Sequence, residues 1–195
     1  MTDSVAKRSR IGRTRRRWAL ATARMMRLAD EERGATAVEF AMIGAPFVFL
    51  VLTVLELAMV FLVYTTLENA MATASRTIRT GAMQTSGTST AAAFATQICN
   101  NMGWLQSSCA GQLQVDVRTE TLFANPSEPD PMATGTFNKA ALTFTPGTAG
   151  QIVLVRAFYQ WPLMIPVMDA ALSKSNNGMD VIIATTTFVN EPYTS

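Results

Sequence analysis

Few residues in this chain have the types and the spacing that enzyme chemistry needs. The sequence contains no histidine. This excludes Ser-His-Asp and Cys-His nucleophile systems, zinc sites with histidine ligands and haem held by histidine. Ser107, Ser108 and Lys174 are the types used in serine–lysine chemistry, but they show neither SxxK spacing nor a nucleophile elbow. We therefore reject an enzyme and expect no cofactor.

Four acidic residues in the C-terminal half could pair as acids or hold calcium, yet no EF-hand loop surrounds them. They are Asp116, Glu120, Glu128 and Asp130. The favoured interpretation is that they are solvated acids at strand ends and in loops.

The strongest signal is the apolar run at residues 41–63, in which 19 of 23 residues are apolar. As a helix it spans roughly 35 Å, enough for a hydrocarbon core of about 30 Å. A buried core helix would need a polar face, and the run offers only Gly44, Pro46, Thr53 and Glu56 for one. The run predicts one transmembrane helix.

Basic residues lie mostly before this helix. Residues 1–34 hold ten of the sixteen Lys and Arg, whereas only Arg76 and Arg79 follow the run closely. The positive-inside rule puts the N-terminus in the cytoplasm and the C-terminal body across the membrane. We expect a basic cytoplasmic leader (1–34), a transmembrane helix (35–64) and an extracytoplasmic α+β domain (65–195).

The basic run Lys7–Trp18 could be a nucleic-acid arm, a patch for anionic lipid or a topology determinant. We favour the topology determinant and expect membrane lipid, not nucleic acid, as a partner. The rest of the chain is mildly acidic, which is unlike a uniformly basic nucleic-acid binder. Met25 and Met26 would open a shorter leader, so the true start codon (Met1, Met25 or Met26) stays open.

The residues around the start of the apolar run, 31–47, read EERGATAVEFAMIGAPF. A charged leader that ends in glycine, followed by small residues, Glu-Phe and an apolar helix, resembles the type IV prepilin class. The resemblance implies cleavage by prepilin peptidase between Gly34 and Ala35. It also implies a subunit contact at Glu39 and Phe40, with Glu39 pairing with a subunit's newly freed α-amine. The alternative for Glu39 is a carboxylate favoured by the helix dipole.

Two motifs in the C-terminal half indicate which family of the prepilin class the chain resembles. Residues 181–193 read VIIATTTFVNEPY, and residues 156–164, RAFYQWPLM, place an aromatic before proline. With the long first helix, these features resemble TadE-like proteins, pseudopilins of the tight-adherence (Tad) pilus machinery. The resemblance implies a pilin-like fold and an inner-membrane location. It implies partners among other Tad pilins or pseudopilins and inner-membrane assembly proteins. The 34-residue leader is longer than such leaders usually are.

Glu56 lies inside the apolar run. An ionised acid at mid-membrane costs about 2.5–3.5 kcal/mol on insertion scales, so this side chain should face protein rather than lipid. We expect it to contact a helix of another subunit. The alternative is a protonated or tolerated acid nearer the far interface.

Beyond the membrane the helix is expected to continue to about 45 residues in all, because an apolar stripe recurs at helical spacing. The stripe consists of Leu67, Met71, Ala74 and Ile78. It should pack on a small C-terminal antiparallel sheet. The helix should end at Gly81 and the stretch Gln84–Thr90.

The remaining chain predicts an α+β body, from period-2 alternation and β-branched runs. Strands are expected at Gln112–Arg118, Ala141–Thr145, Gln151–Trp161 (the central strand) and Asp180–Val189, a helix at Thr90–Met102, a loop at Asn125–Thr136 and a helical turn within Pro166–Gly178.

Cys99 and Cys109 are the only cysteines, and the topology places both outside the cytoplasm. A disulfide closing this short loop would contribute about 2–4 kcal/mol. Two thiols without histidine make a poor metal site, so we expect a disulfide and no bound metal.

The leading hypothesis is a structural assembly component, a pseudopilin processed after Gly34. The alternative is an uncleaved bitopic anchor whose extracytoplasmic domain binds another envelope protein or a ligand. The two differ at one bond, Gly34–Ala35. The sequence leaves open whether the protein joins the secreted fibre, caps its tip or stays in the membrane, and which subunits it contacts.

Overall fold

The computed structural model describes residues 32–123, 129–165 and 179–193, with side chains described from residue 36 onward. The chain divides into two compact units, of which the first ends at Leu52 and the second begins at Thr53. The predicted helical turn within Pro166–Gly178 and the start of the predicted loop at 125–128 lie outside the described residues.

One long helix, α1, runs over Glu32–Arg79. Its 48 residues confirm the single long helix predicted from the apolar run and the stripe beyond it. The last turn closes with the Gly81 amide donating to the Ile78 carbonyl at 3.0 Å. Gly81 has φ +76°, the left-handed conformation with which a glycine commonly ends a helix.

The described part of the first unit is apolar helix with its side chains exposed. From residue 36 to Leu52, every residue but Gly44 is exposed. Among the described residues, α1 is the one helix long and apolar enough to cross a membrane. An exposed apolar surface of this size needs a cover of lipid or protein.

The second unit is built on a three-stranded antiparallel sheet. The strands are β1 (Leu113–Glu120), β2 (Ile152–Pro162) and β3 (Met179–Val189). Their order is β1-β2-β3, so β2 is the central strand, as predicted. The α+β fold class with a small antiparallel sheet is confirmed.

One face of the sheet shares a hydrophobic core with the second half of α1. Leu67, Met71, Ala74 and Ile78 are at most 1% exposed, which confirms the predicted stripe. Odd-numbered residues of β1 and β2 meet them, in keeping with the alternation of side chains along a strand. They are Leu113, Val115, Val117, Val153, Val155, Ala157 and Tyr159.

The helix predicted at Thr90–Met102 is confirmed as α3 (Ala91–Asn101), with Thr90 as its N-cap. The Thr90 hydroxyl accepts from the Ala93 amide at 3.2 Å, the usual capping bond. A shorter helix, α2 (Ala82–Thr85), precedes it. A 3₁₀ turn and α4 (Gln106–Cys109) follow it.

The strand predicted at Ala141–Thr145 is wrong. Ala141 ends a 3₁₀ turn, and the following residues make only one isolated bridge, between Phe144 and Val117. Leu142 and Phe144 would share a face in a strand, but they pack against different hydrophobic clusters. The Thr143 amide donates to the Asp116 carboxylate at 2.7 Å rather than to a strand.

The second face of the sheet is covered by the segment at residues 129–145. Phe158 of β2 is buried there with Met132, and Phe137 packs on it with ring centroids 5.5 Å apart. The sheet is therefore buried on both faces, between a helix and an irregular segment.

Candidate functional site

The predicted cleavage bond between Gly34 and Ala35 lies in the first turn of α1. A peptidase that needs an extended backbone must unwind that turn. Glycine makes this easier, because it is about 1 kcal/mol less favourable than alanine inside a helix. The side chains at this bond and the leader, including Lys7–Trp18, lie outside the described residues, and cleavage stays a prediction.

Glu39 and Phe40 lie on α1 with exposed side chains, and Phe40 is 78% exposed. Glu39 is the eighth residue of α1 as described, beyond the first turn in which the helix dipole acts strongly. After cleavage it would be the fifth residue of the chain. The predicted subunit contact of these two residues stays a prediction.

Glu56 belongs to the second unit and is 3% exposed. Its Oε1 atom accepts hydrogen bonds from the backbone amides of Met164 and, at 3.2 Å, Ile165. Oε2 is buried with no hydrogen-bond partner among the described residues. The carboxylate thus faces protein, but that protein is a segment 108 residues away in the same chain. The predicted helix–helix contact with another subunit stays a prediction.

Cys99 and Cys109 form a disulfide, as predicted, with their Cα atoms 5.6 Å apart. It joins α3 to the last residue of α4. Cys109 is fully buried, so the bond also holds this turn against the core.

The Asn-Glu-Pro-Tyr ending forms a contact site around the end of α1. Asn190 is buried, and its Nδ2 donates to the carbonyls of Pro146 at 2.9 Å and Thr148 at 3.1 Å. The Tyr193 hydroxyl donates to the Gly147 carbonyl at 3.2 Å. The sequence pattern alone indicates no structural role for this motif, which is a feature of the resemblance to TadE-like proteins.

The ring of Tyr193 lies directly over Gly81. A Cβ atom at Gly81 would fall 2.2 Å from the Tyr193 Cγ, so no larger residue fits without displacing the ring. The amide of Glu191 donates to the Arg79 carbonyl at 2.8 Å, one of the carbonyls that a helix end leaves unpaired. The chain ending therefore caps α1.

A buried ion cluster joins β1, β2 and the segment over the second face of the sheet. The fully buried Asp116 carboxylate lies 2.6 Å from Arg156 Nη2 and 2.9 Å from Arg118 Nε. The arginines also donate to backbone carbonyls of that segment, Arg118 to Ala141 at 2.6 Å and Arg156 to Pro129 at 3.4 Å. The cluster fastens the segment to the sheet.

The interpretation of Asp116 as a solvated acid is wrong. Burial by itself raises the pKa of Asp116, but hydrogen bonds from Arg118, the Thr143 amide and Arg156 outweigh it and hold that pKa below its usual value. The sequence did carry a signal. Arg118 is two residues further along the same strand, so its side chain lies on the same face of the sheet as Asp116.

The other residues considered for chemistry form no site in the described chain. Asp130 is exposed and its Oδ1 accepts from the Met132 amide, and Ser108 donates to the Leu105 carbonyl. Glu120 is half-buried at the end of β1, and Ser107 is exposed. Glu128 and Lys174 lie outside the described residues. No group of three or more potential metal ligands occurs among the residues that are described.

Comparison with known families matches one segment of the chain. The family model of TadE-like protein matches residues 34–76. This segment is TadE-like. The match begins at the glycine of the predicted cleavage bond and ends three residues before α1 does. Comparisons with curated proteins and with solved structures gave no significant match.

The TadE-like match implies a protein associated with the Tad pilus and with other components of that machinery. The TadE-like family is a family of structural and assembly proteins, not a known family of enzymes. One helix able to span a membrane agrees with a membrane location.

Proposed function

We propose that this chain is a pseudopilin-like minor subunit that acts in the assembly of a Tad pilus. In this role α1 stores the protein in the membrane after prepilin peptidase has cut between Gly34 and Ala35. The observation that carries the proposal is the exposed apolar surface of α1, which is described from residue 36 onward and lies within the TadE-like match.

The exposed surface suits a helix that contacts lipid first and neighbouring subunits later. From residue 36 to residue 55, no side chain of α1 is buried in the described chain. Glu39 is the acid near the start of this surface, and in the proposed role it pairs with the α-amine of a neighbouring subunit. The proposed partners are prepilin peptidase, other Tad pilins or pseudopilins, and inner-membrane assembly proteins.

The proposed orientation has the N-terminus in the cytoplasm and the second unit outside it, anchored by one pass through the inner membrane. The basic residues before α1 support this orientation through the positive-inside rule. The Cys99–Cys109 disulfide supports it independently, because disulfides persist in extracytoplasmic compartments and are rare in the cytosol.

The test is the N-terminus and intact mass of the membrane-extracted protein, with and without the host's prepilin peptidase. We expect a chain that begins at Ala35 only when the peptidase is present. Gly34→Val should block the cut. Gly44→Val is the matched control, because a Cβ at Gly44 meets only the Phe40 ring, at 3.7 Å.

A chain that keeps Arg33 and Gly34 in both hosts would overturn the processing step. It would leave the alternative, an uncleaved bitopic anchor whose second unit binds an envelope protein or a ligand. Equal loss of cleavage in Gly34→Val and Gly44→Val would show that the peptidase reads the helix as a whole and not this bond.

A further inference from the structure

The chain leaves β2 through a short apolar segment beside α1. This exit segment, Trp161–Ile165, consists of the last two residues of β2 and the three that follow, reads WPLMI and carries no charge. The amides of Met164 and Ile165 both donate to Oε1 of Glu56. Two hydrogen bonds to one carboxylate oxygen fix the backbone of the exit segment at the level of Glu56 on α1.

That level lies within the apolar run of α1. Glu56 precedes the last residue of the run, Val63, by seven positions. At 1.5 Å per residue this is about 10 Å of helix. The buried face of α1 is continuous between these two positions through the partly buried Val60. The second unit therefore packs along part of the helix that is apolar enough to lie in a bilayer.

The exit segment has an exposed apolar side chain at this level. Met164 is 72% exposed, and its neighbours Leu163 and Ile165 are half-buried. The helix beside it is also exposed and apolar, with Leu57 at 44% and Phe61 at 67%. The exit segment is thus continuous with the surface of α1 that a membrane would cover.

Aromatic side chains lie in the exit segment and on neighbouring elements. Trp161 packs edge-on against Trp104 with ring centroids 6.4 Å apart, and Trp104 is 52% exposed. Tyr64 follows the apolar run on α1 and is 37% exposed. Tryptophan and tyrosine are enriched where a membrane meets water, because their rings are apolar and their N–H and O–H groups are polar.

We propose that the exit segment is a second membrane contact, with Met164 inserted into the outer leaflet of the lipid bilayer beside α1. Irregular backbone in a membrane must have its amides satisfied by protein. Glu56 accepts from two amides of the exit segment, those of Met164 and Ile165. This also explains why an acid occupies this position in an apolar helix. The second unit then rests on the bilayer surface with Trp104 near the headgroups.

This inference rests on the proposed function in one respect, that α1 spans a membrane. The test therefore uses three variants of the full chain in phosphatidylcholine vesicles, each with one added cysteine that is labelled with a fluorophore sensitive to water. The native cysteines are paired and take no label. Met164→Cys reports on the exit segment. Val48→Cys, 55% exposed on α1, reports on the span, and Thr88→Cys, exposed after α2, is the aqueous control.

We expect lipids carrying a nitroxide near the headgroup to quench the Met164→Cys label several-fold more than the Thr88→Cys label. Iodide dissolved in the water should quench the Thr88→Cys label more than the Met164→Cys label. A Met164→Cys label that behaves like Thr88→Cys, while Val48→Cys is shielded from iodide, would overturn the second contact and leave the span intact. A Met164→Cys label shielded from both quenchers would also overturn it, because a protein partner would then cover the segment.

If Val48→Cys itself is open to iodide in the vesicles, the span fails, and with it both the anchoring in the proposed function and this inference. The three labels therefore separate failure of the second contact from failure of the first.

Discussion

Arg79 and Glu191 are joined twice, once by backbone and once by side chains. The Glu191 amide donates to the Arg79 carbonyl at 2.8 Å, and the Glu191 carboxylate lies 3.1 Å from Arg79 Nε. The two side chains are about half exposed, so solvent screens the ion pair and its contribution should be about 0–1 kcal/mol. The backbone bond and the ring of Tyr193 over Gly81 are the stronger parts of this closure.

Gly81→Ala should destabilise the second unit by about 2–4 kcal/mol, since it adds steric displacement of Tyr193 to an unfavourable positive φ. The measurement is the urea midpoint of the detergent-solubilised protein. Gly87→Ala is the matched control, because it has φ +70° and nothing within 4 Å of its added Cβ. If both variants lose the same stability, the contact with Tyr193 contributes nothing.

Asp116→Asn should lower the free energy of unfolding by about 3–5 kcal/mol at neutral pH, because it leaves Arg118 and Arg156 without their buried counter-charge. Denaturant unfolding at pH 7 measures this. Glu120→Gln is the control, since Glu120 is on the same strand but makes none of the described contacts of Asp116.

The same cluster predicts how stability depends on pH. The pKa of folded Asp116 is depressed, so the unfolded chain takes up a proton first as pH falls. The stabilisation is complete above the unfolded pKa, about 3.9, and is lost as pH falls through the lower folded pKa. Wild type should lose more stability than Asp116→Asn between about pH 5 and about pH 2. Parallel pH curves would contradict the assignment.

Glu56→Leu should keep insertion of α1 but release the exit segment, because two amides lose their acceptor at a cost of about 1–3 kcal/mol each. Faster hydrogen exchange at Met164 and Ile165 measures this release. Glu56→Gln should largely restore protection, since it keeps a carbonyl oxygen at the same place.

We also expect Glu56→Leu to weaken association with partner subunits. Unchanged co-purification would leave Glu56 with an intrachain role alone.

Glu39→Ala should reduce pilus assembly by about tenfold or more, if one charge-assisted contact to an α-amine contributes 1.5–3 kcal/mol per subunit. Cleavage and membrane insertion should be unchanged. Glu68→Ala, which removes another exposed acid of α1, is the control. Assembly at the wild-type level in Glu39→Ala would remove this residue from the subunit contact.

The elements that could be predicted from sequence are those set by local periodicity or local composition. The stripe from Leu67 to Ile78 repeats every three or four residues, and β1 alternates every two. The strands β2 and β3 are continuous runs of apolar, aromatic or β-branched residues. The stretch after Lys139 also alternates over a few residues, but capture of the Thr143 amide by Asp116 stops it from forming a strand. The alternation of side chains along a sequence does not show which acceptors the backbone amides will find.

The parts that could not be predicted depend on contacts between distant residues. Glu56 was expected to face protein, but its partner is 108 residues away. The role of Tyr193 depends on a glycine more than a hundred positions earlier. Part of the charge cluster was predictable, because Asp116 and Arg118 are two residues apart on one strand. Its third member, Arg156, was not, because only the register of β1 with β2 places it opposite Asp116.

The buried face of α1 starts at Glu56, and among the described residues none before it contributes to the core. From Glu56 onward the helix packs into the core of the second unit, whereas its described residues before Glu56 do not. If the residues before Glu56 move from lipid to the apolar side of a neighbouring helix, their surroundings stay apolar and the core loses no packing. Transfer of the helix from the membrane to a fibre would then require no refolding of the second unit.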